Sequence, residues 1–79
     1  MARVLMFGAL AEIAGWRERI VEADSLSGLR AWLAGEDVTL GERLAGAGVF
    51  AVVNHDMVRG DHTLSPDDEV AFVPPVSGG

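Results

Sequence analysis

The residues able to do chemistry lie at one end of this sequence. The last six are Pro74-Pro75-Val76-Ser77-Gly78-Gly79, and the carboxylate of Gly79 is the reactive group they present. Consecutive prolines hold φ near one value and favour an extended, polyproline-like path, so the stretch is expected to project from the body. Gly78 and Gly79 lack a Cβ and form the thinnest peptide available, able to enter a channel that larger side chains would block. A glycine-rich end can also be a plain flexible terminus, and a proline pair a plain strand terminator. Stopping a sheet and starting a stiff tail are nonetheless one event.

Little else in the sequence competes with that carboxylate. Cysteine is absent, which excludes disulfides, cysteine-ligated zinc and iron–sulfur clusters. His55 and His62 do not stand at metal-binding spacing and read as turn residues. Gly46 and Gly48 precede no Lys-Ser/Thr pair of a phosphate-binding loop. With no nucleophile–base pair in view, the chain is expected to bind no metal or cofactor and not to be an enzyme by itself. Lysine is absent too, so apart from the N-terminus no amine of the chain is open to acylation by an activated carboxyl group.

Holding such an end calls for one small domain. The chain has 79 residues, 49% of them hydrophobic, enough for a single compact core and too many for disorder. Its net charge of −6, with six scattered arginines, argues against a nucleic-acid partner, which needs a basic face. It suits a basic protein partner, or simply solubility. No basic leader followed by an apolar run and no bilayer-length segment is present, so no membrane partner is expected and cytoplasm is the default.

Arg3–Gly8 is an apolar run of strand length whose continuity predicts burial on both faces. Ala9–Ala14 carries Leu10 and Ile13 at helical spacing, with Gly15 to end a turn or two. Trp16–Glu22 mixes charges with Ile20 and Val21, as an edge strand does. Ser25 reads as an N-cap for the one convincing helix, with Leu26, Leu29, Trp32 and Leu33 on its stripe and Gly35 closing it. Leu40 and Leu44 mark a short helical turn in the looser stretch 36–48. Val49–Asn54 reads as a second apolar strand, Asn54-His55-Asp56 as a turn and Met57–Arg59 as a return strand. Asp67-Asp68-Glu69 reads as a solvated turn before a last strand, Glu69–Val73, with Val70 and Phe72 on one face and Ala71 and Val73 on the other. The expectation is an α+β domain over residues 1–73, a small sheet with one main helix across one face, and a tail over 74–79.

Those residues carry a resemblance. The ββαββ order, the run Asp67-Asp68-Glu69-Val70 and the Gly-Gly end resemble the ubiquitin-like β-grasp proteins. The ending DDEVAFVPPVSGG resembles the MoaD type of sulfur carrier, the small subunits of molybdopterin synthase. Val4–Phe7, Val53-Asn54 and Asp61-His62 with Leu64 support it. The resemblance implies that an ATP-dependent enzyme adenylates Gly79, that sulfur transfer makes a thiocarboxylate, and that the tail from Pro74 through Pro75, Val76, Ser77 and Gly78 to Gly79 enters the large synthase subunit. There the sulfur would build the dithiolene of molybdopterin. It implies, too, a heterotetramer of two small and two large subunits, with the catalytic groups on the partners. Carriers for thiamine or cysteine synthesis, conjugated modifiers and inert interaction modules remain alternatives.

An apolar patch at the root of the tail would dock both partners. Val73 is expected to face outward beside Met57, and Met suits a surface that meets more than one partner. Phe7 is a further candidate for this patch, although the core is its expected place. Trp16 and Trp32 read as partly buried core, and Asp61 as fixing its turn through a local hydrogen bond.

Overall fold

A computed structural model describes residues 1–75. Five strands form one mixed sheet: β1 (Ala2–Met6), β2 (Glu18–Val21), β3 (Phe50–Val53), β4 (Asp56–Val58) and β5 (Glu69–Val73), in the order β2-β1-β5-β3-β4. The β1–β5 pair is parallel and the others antiparallel, so β5, which leads into the tail, is the central strand. Three helices complete the described residues: α1 (Ala9–Ala14), α2 (Leu26–Glu36) and α3 (Val38–Leu44).

Strand alternation sorts the residues into two faces. Ala2, Val4 and Met6 of β1, Val70 and Phe72 of β5, and Ala51 and Val53 of β3 are buried under the helices. From α2 come Leu26, Leu29 and Leu33, and from α3 Leu40 and Leu44. Full burial of a side chain of this size is worth roughly 1.5–3 kcal/mol. The expected buried strand at the N-terminus is therefore interior in the sheet but buried on one face only: Arg3 is exposed and Leu5 half-buried. An unbroken apolar run does not by itself distinguish the two cases.

The expected helices are present, α1 over the expected Ala9–Ala14, but α2 and the turn after it differ in extent. Ser25 does cap α2, its side chain accepting from the Gly28 N–H at 3.0 Å. Gly35 does not close it, because the helix runs to Glu36 and Asp37 ends it. Asp37 then starts α3, its carboxylate accepting from the Leu40 N–H at 3.1 Å. A residue that serves both ends extends the expected helical turn at Leu40 and Leu44 into a helix of seven residues layered on α2. The two helices approach closely at Gly41, where a Cβ would lie 2.5 Å from the Ala34 Cβ.

Trp16 packs against the core, whereas Trp32 is exposed. The Arg19 guanidinium lies 5.8 Å from the Trp16 ring centroid and 5.0 Å from that of Trp32, and pairs with Glu36 at 2.8 Å. A cation over two indole faces accounts for an aromatic left at the surface.

Candidate functional site

The uncovered face of the sheet is graded along the strands. At the end far from the tail, Arg3 pairs with Glu18 at 2.7 Å and with Glu69 at 3.4 Å, making a polar cross-strand row. One step toward the tail, Leu5, Ala71, Val52 and Met57 align across four strands. The last row before the tail holds Val73 opposite Phe50, with Phe7 just past the end of β1, its N–H donating to the Phe72 carbonyl at 3.2 Å.

This face thus brings together the three residues read from the sequence as an interface. Val73 is half-buried; Phe7 is 47% exposed and Met57 56%. Phe7 belongs to the patch and not to the core, since the alternation that buries Met6 turns its neighbour outward. The sequence reading missed Phe50, 42% exposed, together with Leu5 and Val52. Their signal was present in the period-2 alternation of Phe50 and Val52 against Ala51 and Val53, had the run been assigned faces.

Two turns hold β5 in place. At the β3–β4 hairpin Asn54 and His55 have φ of 49° and 73°, the left-handed pair that a two-residue hairpin loop requires. From that position Asn54 reaches β5: its Nδ2 donates to Asp68 Oδ1 at 2.8 Å, and its Oδ1 accepts from the Glu69 N–H at 2.9 Å. Asp68 Oδ2 accepts from the Ser65 N–H at 2.7 Å. The acidic turn is thus a fastening as well as a solvated loop. Those hydrogen bonds, the Ser65 N–H first and the Asn54 amide next, lower the Asp68 pKa. Farther back, Asp61 accepts from the Ser27 N–H at 2.8 Å, the Ser27 hydroxyl at 3.0 Å and the His62 N–H at 2.9 Å, which lowers its pKa likewise. It fixes its own turn and also ties that turn to the start of α2.

Beneath β5, Arg30 lies 5.2 Å from the Phe72 ring centroid and donates to the Leu44 carbonyl at 2.8 Å, joining both long helices to the central strand. Beyond Val73 the chain passes to Pro74, half-buried, and Pro75, exposed. Val76, Ser77, Gly78 and Gly79, the rest of the expected tail, lie outside the described residues. Among the described residues no three metal-binding side chains converge, and no helix is long and apolar enough to cross a membrane.

The sequence matches the ThiS family over residues 4–79. It is 37% identical, over 81 aligned positions covering 100% of both chains, to the molybdopterin synthase sulfur carrier subunit of Escherichia coli. The crystal structure of SAMP1 from Haloferax volcanii superposes with a TM-score of 0.81 at 28% identity, over 99% of this chain and 98% of that one. A Pyrococcus furiosus protein described as a candidate molybdopterin converting factor, subunit 1, superposes with a TM-score of 0.82 at 26% identity, over 95% of this chain and 97% of that one.

Proposed function

The chain belongs to the ThiS family and has a ubiquitin-like β-grasp fold, and from that premise we propose that it is the sulfur carrier subunit of a molybdopterin synthase. The observation that carries this reading is the full-length identity with the Escherichia coli carrier subunit. In the proposed cycle, the Gly79 carboxylate attacks the α-phosphorus of ATP within an activating enzyme. Pyrophosphate leaves and an acyl-adenylate remains. This step is needed because a free carboxylate is a poor electrophile, whereas AMP is a good leaving group. A sulfide-level sulfur nucleophile then attacks the acyl carbon, and the C–O bond to AMP breaks as the C–S bond forms. The resulting thiocarboxylate is what the large synthase subunit uses to build the dithiolene.

The chain's own part is to hold and present. Residues 1–73 act as the handle and 74–79 as the tail that enters the partner. The apolar face of Phe7, Val73, Phe50 and Met57 lies beside the root of that tail, where a partner receiving the tail would also rest. Catalytic bases and ATP binding reside in the partners, the assembly is a heterotetramer of two small and two large subunits, and the compartment is the cytoplasm. The absence of lysine and cysteine leaves the activated end few nucleophiles within its own chain.

A second reading, a modifier conjugated to other proteins, is favoured by the likeness to SAMP1, the small archaeal modifier protein 1 of Haloferax volcanii. Affinity isolation from the native host separates the two. Recovery of the large synthase subunit, with rescue of molybdenum-enzyme activity when the chain is returned to a deletion strain, supports the carrier. Recovery of isopeptide-linked proteins with no rescue supports the modifier, and recovery of a thiazole synthase would end the molybdenum assignment.

A further inference from the structure

The prolines that follow β5 rest against two glycines, one close to the end of each strand that flanks it. Gly8 stands two residues past the end of β1, and Gly48 two residues before the start of β3. A Cβ on Gly8 would lie 3.1 Å from the Pro74 Cγ. On Gly48 it would lie 2.8 Å from the Pro75 Cβ and 3.4 Å from its Cγ. Because β5 is central, the two contacts meet the outgoing chain from opposite sides.

Both glycines have positive φ, 55° and 86°, but backbone conformation does not account for the contacts. Gly15 and Gly60, with φ of 84° and 72°, have open space where their Cβ would be. We infer that Gly8 and Gly48 are positioning residues: they form a seat for the Pro74 and Pro75 rings and thereby set the heading of the chain as it leaves Pro75. The geometry stands by itself; its consequence for activity rests on the carrier reading.

A side chain at position 48 would force Pro75 back by about 0.6 Å to regain ordinary contact. Proline has a fixed φ, so two in succession absorb little of such a push and pass it on as a change of heading. Four residues follow, and they span at most about 14 Å, a lever that enlarges the error at Gly79. Misplacement of a reacting group by about 1 Å can cost on the order of a hundredfold in rate. Docking through the apolar sheet face would be untouched, so the loss falls on kcat and spares KM.

The test uses the whole chain. In NMR spectra of the wild type, the α-protons of Gly8 and Gly48 should show cross-relaxation to the ring protons of Pro74 and Pro75; absence of both contacts would overturn the seat. Gly48→Ala is then compared with Gly60→Ala, which puts the same side chain on left-handed backbone in open space. Each is given to the host's activating enzyme with ATP, and pyrophosphate release is followed. The expectation is a kcat lowered at least about tenfold for Gly48→Ala, with KM unchanged and Gly60→Ala close to wild type. Equal kcat for the two variants would overturn the positioning role. If Gly48→Ala fails to fold, Gly8→Ala, the milder intrusion, takes its place with a smaller loss in the same direction. Should the wild type itself never be activated, the carrier reading falls, and the proton contacts alone decide whether the seat exists.

Discussion

A carboxylate placed in the apolar sheet face should separate partner binding from folding. Met57 lies on the edge strand β4 in line with Val52, Ala71 and Leu5, and is 56% exposed. Burying a whole methionine side chain is worth about 1.5–3 kcal/mol, so covering the exposed half by a partner is worth roughly 1–1.5 kcal/mol. Met57→Asp forfeits that and adds the cost of drying an unpaired carboxylate, reduced because the edge position leaves water partial access. The sum is about 2–3 kcal/mol, a weakening of roughly 30- to 140-fold in Kd. Folding itself should change little, since a substitution at an exposed site usually shifts stability by no more than about 0.5 kcal/mol. Val38→Asp is the control: Val38 is 70% exposed, but on α3, in the layer covering the other face of the sheet. Calorimetric titration of each variant into the large synthase subunit, beside a thermal melt, gives both quantities. Equal affinity of the two folded variants would refute the docking face.

The fastening of β5 should show in stability. Asn54→Gly keeps the left-handed turn but removes both side-chain hydrogen bonds to the Asp68-Glu69 turn; a net loss of about 1 kcal/mol should lower Tm by roughly 4–8 °C, and an unchanged melt would dismiss the fastening. Gly41→Ala should destabilise by about 1–3 kcal/mol, because its Cβ would collide with Ala34, while Gly35→Ala, in open space on α2, should gain about 0.5–1 kcal/mol. Urea midpoints for the pair check both signs. Asp61 and Asp68 have folded pKa values below the ordinary 3.8. Their contribution is therefore complete above that pH and is lost as pH falls through the lower folded values. A double Asp→Asn variant at these positions should show a flatter urea midpoint than the wild type between neutral pH and about pH 3; parallel curves would contradict the assignment.

The strands to within two residues at each end, the Ser25 cap and the faces of β5 were legible because each depends on residues close in sequence. The same local reading placed β2 at an edge, from charges that a central strand would not tolerate. It failed where a distant contact decides. Asp37 ends one helix and begins another, so Gly35 never acts as the stop it resembles. Trp32 stays at the surface because Arg19, from a strand earlier in the chain, lies over it. Asp68 looked solvated because its partner Asn54 is 14 residues away. At the candidate site, Val73 was readable from alternation and Met57 from its place in the neighbouring hairpin, whereas Phe50 was hidden in a run read as uniformly apolar. The seating of Pro75 on Gly48 joins opposite ends of two antiparallel neighbours and leaves no local trace.

The most direct trial of the account is an intact mass, with fragmentation, of the chain isolated from its native host under conditions that preserve thioacids. A fraction heavier by one sulfur-for-oxygen exchange, with the difference confined to Gly79, is the result expected of a carrier. A population carrying only an ordinary carboxylate, in cells actively making the cofactor, would contradict it.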